Sequence, residues 1–216
     1  EIFTNGTGRR MTTALPPGIP DRPAKSKIKY DYNLELAKKL LEKAGYPGGQ
    51  GLPQINFELR GADTFNRQLG DFLQQQWAAI GVKTNVVTNT FPAYLEKMKR
   101  GQLQTSYGGW SMDYPDGENV YQLVYGPNKS PGPNDSNFDN AELNKLYEEM
   151  AIMESGPKRT AVIQKMEDII QEEAPWAMGH YEATYVVTQP WLLNYRNNDI
   201  IANKYKYFRI NRDVKK

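Results

Sequence analysis

The tightest constraint on the fold is a change of apolar period between residues 55 and 88. Ile55, Phe57 and Leu59 alternate as in a strand, and after the break at Gly61 the residues Leu69, Phe72, Leu73, Trp77 and Ile80 recur on one helical face. Gly81 stops that helix, and Val82 to Thr88 reads as a second strand. Strand, helix and strand in that order make a βαβ unit, with parallel strands and a right-handed crossover. The alternation extends both ways. Asn33 is placed to cap a helix with the stripe Leu36, Ala37, Leu40, Leu41 and Ala44, which Gly45 and Pro47 close. Downstream, Phe91 to Arg100 predicts another helix, with Pro92 in its first turn and Leu95 and Met98 inward. Leu103 to Tyr107 predicts a short strand. The chain is therefore expected to be α/β, one lobe with a mixed sheet flanked by helices.

That last strand runs into Gly108-Gly109-Trp110-Ser111-Met112-Asp113-Tyr114-Pro115-Asp116-Gly117-Glu118-Asn119. Pro115 and Gly117 mark a turn, and Asn119 to Tyr125 reads as a short amphipathic helix. A tryptophan and an aspartate thus stand where a strand ends and the backbone opens, the place where ligands collect in open α/β sheets. Residue types alone leave two readings open. Asp113 caps a turn and Trp110 is core, or both face a ligand.

The second half is predicted to be more helical. After a turn-rich stretch from Gly126 to Asn137, Asp139 to Glu142 has capping-box spacing, and Phe138 is placed to pack on Leu143. Leu143, Leu146, Tyr147, Met150 and Met153 then share a face. Gly156-Pro157 starts another helix, with Val162, Met166, Ile169 and Ile170 inward, and the short connection predicts an antiparallel hairpin. Trp176 to Tyr181 and Thr184 to Thr188 read as strands. The domain reading is one lobe: an irregular leading segment over 1–30, an α/β core over 31–188 and a return over 189–216 ending in a strand at Tyr205 to Ile210. Glycines and prolines keep residues 1–30 irregular, and the expectation is a path across a surface.

Composition removes several function classes. The 216 residues carry a net charge of +2 with both signs interleaved, so no nucleic-acid groove is expected. There is no cysteine, which excludes disulfides and thiolate metal sites. His180 is the one histidine, with no nucleophile-elbow motif beside it, so it reads as structural, and neither a metal nor a cofactor is expected. No Walker A or dinucleotide glycine pattern occurs, and Gly48-Gly49-Gln50-Gly51 follows a helix rather than a strand. The longest apolar runs fall far short of a membrane span. Glu1-Ile2-Phe3 opens abruptly, as expected of a piece of a longer precursor.

Gly-Trp-x-x-Asp-Tyr-Pro-Asp at 109–116, followed by Asn119 and an apolar run, resembles the signature of the family 5 extracellular solute-binding proteins, the peptide-binding receptors that feed ABC importers. Further stretches resemble the family in the same order. They are Ala37 to Pro47 (AKKLLEKAGYP), Trp77 to Lys83 (WAAIGVK), and Ala174-Pro175-Trp176 with Val186 and Pro190. The resemblance implies a periplasmic-binding-protein-like (type II) lobe, the C-terminal one of a longer two-lobe receptor. It implies a non-enzymatic receptor, expected to be a monomer, that hands a peptide or other small solute to a membrane permease. It also implies a periplasmic or extracytoplasmic location, membrane-associated if lipidated.

Carried over position by position, Asp113 would receive the α-ammonium group of the ligand, a task suited to a charged acceptor. Trp110 would offer a ring wall, and the backbone of Ser111 and Met112 would pair with an extended peptide. In the dipeptide-binding branch an arginine upstream of the tryptophan of the following helix holds the ligand carboxylate, which here is Arg60. Asn66 is a rim candidate. Two alternatives stay open: the same receptor class serving an oligosaccharide, nickel complex or opine, or a hydrolase using Asp113, Asp116 or His180.

Overall fold

The computed structural model describes residues 3, 6–24, 28–197, 200 and 203–214. In chain order its regular elements are β1 (Arg9–Arg10), α1 (Leu34–Lys43), β2 (Ile55–Leu59), α2 (Thr64–Ala78), β3 (Thr84–Thr88), α3 (Phe91–Lys99) and β4 (Thr105–Ser106). There follow α4 (Glu118–Tyr121), α5 (Ala141–Ala151), α6 (Pro157–Glu173), β5 (His180–Tyr181), β6 (Leu192–Leu193) and β7 (Arg209–Ile210).

The βαβ unit forms as the apolar periods require. β2 is central in a three-stranded sheet of order β3-β2-β4 and is parallel to both neighbours, with Phe57 opposite Val86 and Glu58 opposite Ser106. Antiparallel pairing also occurs, in two small separate sheets, β1 with β5 and β6 with β7. Phe57 and Leu59 point to α2, where Phe57 meets Trp77 edge-on with ring centroids 5.3 Å apart. Gly70 lets the helix come down on the sheet: a Cβ there would lie 2.8 Å from Val86 Cγ1. Glu58, on the other face, is buried and accepts from Asn89 Nδ2 (2.7 Å) and from Lys97 Nζ of α3 (2.9 Å). Asn33 Oδ1 caps α1 by accepting from Leu36 N–H at 2.9 Å, yet no residue of α1 is buried and Leu40 is exposed.

The main core lies in the helical half. Val120, Tyr121, Val124, Leu143, Leu146, Tyr147, Met150, Val162, Ile163, Met166 and Ile170 pack together, and Ala14, Leu15 and Ile19 join them. Within the leading segment Thr13, Ala14, Leu15 and Ile19 therefore do not run over a surface as expected. Fully buried Thr13 and Leu15 are held by Tyr181, whose Oη donates to Thr13 O (2.6 Å), and Ala14 N–H donates to Glu167 Oε1 (2.7 Å). A glycine- and proline-rich segment forms no helix, but its apolar residues still leave water.

Several boundaries differ from expectation. The strand expected over Leu103 to Tyr107 is only Thr105–Ser106, and that over Trp176 to Tyr181 only His180–Tyr181. Thr184 to Thr188 forms no strand, because no neighbouring backbone among the described residues pairs with it. Tyr205 to Ile210 divides into a 3₁₀ turn over Lys204–Tyr207 and β7. The cap of α5 is Asn140, which accepts from Glu142 N–H and Leu143 N–H, both at 3.0 Å. Asp139 is engaged elsewhere, accepting from Lys129 Nζ and Asn144 Nδ2. No described helix is long and apolar enough to cross a membrane.

Candidate functional site

The parallel register brings two candidate regions to the carboxyl ends of neighbouring strands. Arg60 is the first residue past β2, and Tyr107 the first past β4. The Arg60 guanidinium lies over the Tyr107 ring, 5.4 Å from its centroid, and Phe65 of α2 approaches the same ring at 6.1 Å. Arg60 makes no ion pair among the described residues. Its charge is stabilised by a ring face, which leaves its hydrogen-bonding fork available.

Asn66 sits in the first turn of α2 and is buried, its Nδ2 donating to the capping Asp63 at 2.5 Å. It faces its own cap rather than an open rim, and its Oδ1 has no partner among the described residues.

The loop after β4 is organised by the asparagine that follows the motif. Asn119, in α4, is 1% exposed. Its Oδ1 accepts from Trp110 Nε1–H (2.9 Å) and from Asp113 N–H (3.1 Å), and its Nδ2 donates to Asp113 Oδ2 (3.3 Å). The structure thus joins Trp110, Asp113 and Asn119 in one unit. Trp110 is not core: it is 45% exposed. Asp113 and Ser111 are exposed, whereas Met112 is half-buried and packs on the helical core. The backbone N–H and C=O groups of residues 108–112 have no protein partner among the described residues.

Asp116 belongs to the frame and not to a catalytic pair. Arg159 of α6 is 4% exposed and donates to Asp116 twice, Nη1 to Oδ2 at 2.8 Å and Nη2 to Oδ1 at 2.6 Å. It also reaches Asp21 Oδ2 at 3.1 Å. The Arg159 guanidinium holds the Asp116 carboxyl below the usual carboxylate value, so it stays ionised and paired. His180 lies in β5, where it lines a shallow cavity of about 180 Å³ with Phe65 and Glu182; no contact joins it to Asp113 or Asp116 among the described residues. A nucleophile–base–orienter arrangement needs such contacts. Among the described residues no group of three or more side chains could hold a metal ion.

Asn119 is the residue that joins Trp110 to Asp113, and the sequence reading does not name it among the candidates. Its signal was its place: an amide nine residues after a tryptophan and six after an aspartate, at the first turn of an apolar helix.

Heme-binding protein A of Haemophilus influenzae is 28% identical over 196 residues, 90% of this chain and 36% of its own length. Di/tripeptide-binding protein 1 of Pseudomonas aeruginosa is 28% identical over 178 residues, 79% of this chain and 32% of its own length. The chain thus spans about a third of the length of these relatives. The fold is that of the periplasmic binding protein DppA of Helicobacter pylori in complex with the peptide STSA, with a TM-score of 0.84 and 23% identity over 95% of this chain and 40% of that one. It is likewise that of the oligopeptide-binding protein AppA of Bacillus subtilis in complex with a nonapeptide, with a TM-score of 0.83 and 18% identity over 96% of this chain and 43% of that one. The model of the bacterial extracellular solute-binding proteins, family 5 Middle, matches residues 1–132, more than half of the sequence. The chain belongs to the bacterial extracellular solute-binding proteins of family 5, a family of solute receptors rather than enzymes.

Proposed function

We propose that this chain is one lobe of the substrate-binding component of an ABC-type peptide importer, and that it forms one wall of the ligand cleft. Asp113 takes the ligand's α-ammonium group. The observation that carries the reading is the state of the Asp113 loop. One carboxylate oxygen is held by a buried amide, the other has no partner among the described residues, and the five residues before Asp113 offer unpaired backbone groups. An extended peptide satisfies such a backbone by adding as a strand, which gives affinity without side-chain selectivity. Arg60, half-buried and without an ion pair among the described residues, suits the carboxylate of a short ligand; Trp110 supplies an exposed ring beside Asp113.

The relatives' names span haem and peptides. Haem carries carboxylates and no ammonium group, so an anionic acceptor as the built feature favours the peptide end of that range. The remainder of the receptor forms the opposite wall. Exposed Tyr185, Val186 and Val187, the last at 96% exposure, support a lobe whose departing segment packs on chain beyond these residues. The partners are then a membrane permease and an extracytoplasmic solute, with a monomeric receptor between them.

The test is made in the full-length receptor with Asp113→Asn. Binding of a free-amine peptide should weaken about 30-fold or more, the loss expected when one member of a desolvated charge pair is removed. An N-acetylated peptide should be little changed. Equal loss for both would make Asp113 a structural residue.

A further inference from the structure

We infer that Asn119 is the positioning residue for the Asp113 carboxylate, and that one buried amide holds that acceptor ready for the ligand. The inference rests on the ammonium role proposed for Asp113.

The amide is anchored from below. Asn119 is 1% exposed and stands in α4 beside Val120 and fully buried Tyr121, both part of the main core. Its own backbone is tied at both ends: the N–H donates to Asp116 O (3.1 Å) and the C=O accepts from Gln122 Nε2 (3.1 Å). Asp116 is in turn clamped by Arg159. What sits above is exposed and, on its own, free to rotate. The side-chain amide is the link between the two layers.

Only an amide serves here. Two N–H groups, from Trp110 and from Asp113, converge on one oxygen and use both of its lone pairs. On the other arm of the same plane, a donor meets a carboxylate. An aspartate at 119 would keep the acceptor but set one carboxylate against another, which disfavours ionisation of both. A serine has one oxygen for three partners. A leucine leaves the indole N–H and the Asp113 N–H unpaired.

The consequence for binding is pre-organisation. An exposed aspartate samples several rotamers, and fixing it on binding costs affinity. The Nδ2 hydrogen bond holds Oδ2 and turns Oδ1 outward before the ligand arrives. A residue that merely held the loop together would affect every ligand alike. One that positions the carboxylate affects ligands in proportion to their use of it.

The experiment measures dissociation constants in the full-length receptor for a mixed tripeptide pool and for the same pool N-acetylated. In Asn119→Ser the preference for the free amine should fall about tenfold or more, the worth of one hydrogen bond to a charged group. The acetylated pool should keep its affinity. Equal loss for both pools, or no loss for either, overturns the inference. Asp113→Asn run alongside separates the two levels: if it leaves the preference unchanged, the ammonium reading itself fails. Should Asn119→Ser not fold, the wild-type receptor decides by ¹⁵N NMR. The Asn119 side-chain amide signal should shift further with the free-amine pool than with the acetylated one. Signals that stay with both, or shift alike with both, contradict the inference.

Discussion

The two halves of this lobe hold their candidate residues in different ways. The Asp113 loop rests on the helical half, where α4, α5, α6 and residues 14–19 share a continuous core and a buried arginine clamps the turn. Arg60 rests on the βαβ half, whose described core is smaller and whose anchoring contact is a ring face on another strand end. The first arrangement fixes an acceptor in one direction. The second leaves a long cationic side chain room to move, which suits the carboxylate role proposed for Arg60. The difference teaches that a buried hydrogen-bonded frame and a ring face give side chains different freedom within one lobe.

The largest test of that contrast is Arg159→Ala. It would leave Asp21, whose side chain is 3% exposed, and Asp116 without their cation, and breaking a buried pair from one side costs about 3–5 kcal/mol. Chemical denaturation of the chain measures it, and a loss below about 1 kcal/mol would show that the clamp is ornamental. Next in size, Met150→Ala in the helical core should cost about 2–5 kcal/mol. Leu41→Ala in α1, whose residues are nowhere buried, should cost under about 1 kcal/mol. Similar losses at the two sites would erase the distinction between halves.

A smaller effect separates two carboxylates within the helical half itself. Burial raises the Glu167 carboxyl above its ordinary 4.5, against the hydrogen bonds from Tyr121 Oη and Ala14 N–H. Asp116 is depressed below 3.8 by Arg159. The signs are opposite. The Glu167 contribution is complete below pH 4.5 and declines as pH rises through the raised value. The Asp116 contribution is complete above pH 3.8 and is lost as pH falls through the depressed value. Glu167→Gln should therefore gain on the wild type as pH rises from acidic to neutral, read from denaturation midpoints across that range. A constant gap would mean that Glu167 does not titrate there. Smallest of all, Arg60→Ala should change stability by no more than about 1 kcal/mol, the worth of an exposed cation–π contact, while weakening short peptides more than long ones. Equal weakening of both would remove the carboxylate role.

Much of this was legible in the sequence because local signals and packing agree. The βαβ unit, the cap at Asn33, the stop at Gly81 and the helices starting at Phe91 and Pro157 follow from periodicity and terminal residues, and the structure has them. What failed was non-local. Thr13 to Ile19 has no periodicity to betray its burial, because a segment that crosses a core irregularly leaves no repeating pattern. β1 is two arginines, recognisable only through the partner His180–Tyr181 some 170 residues away. Thr184 to Thr188 has strand composition but no edge to join among the described residues, and composition cannot supply one. At the site, the positions of Trp110 and Asp113 after a strand were readable. The partner of Asp116 was not, since Arg159 lies in a helix whose apolar face had seemed to be its whole message.

The central claim is that these residues form one wall of a cleft. An isolated lobe would leave Asp113 facing water, where an ion pair contributes about 0–1 kcal/mol against the several kcal/mol lost in immobilising a ligand. Closure by the remainder of the receptor lowers the local dielectric and strengthens the same contact. Titration calorimetry of this 216-residue chain with a mixed tri- to pentapeptide pool, beside the full-length receptor, tests this directly. The account predicts binding no tighter than about millimolar for the chain alone and at least a hundredfold tighter for the whole, since about 2.8 kcal/mol of closure suffices for that factor. Micromolar binding by the chain alone would mean that a complete pocket lies within it, and would contradict the half-cleft account.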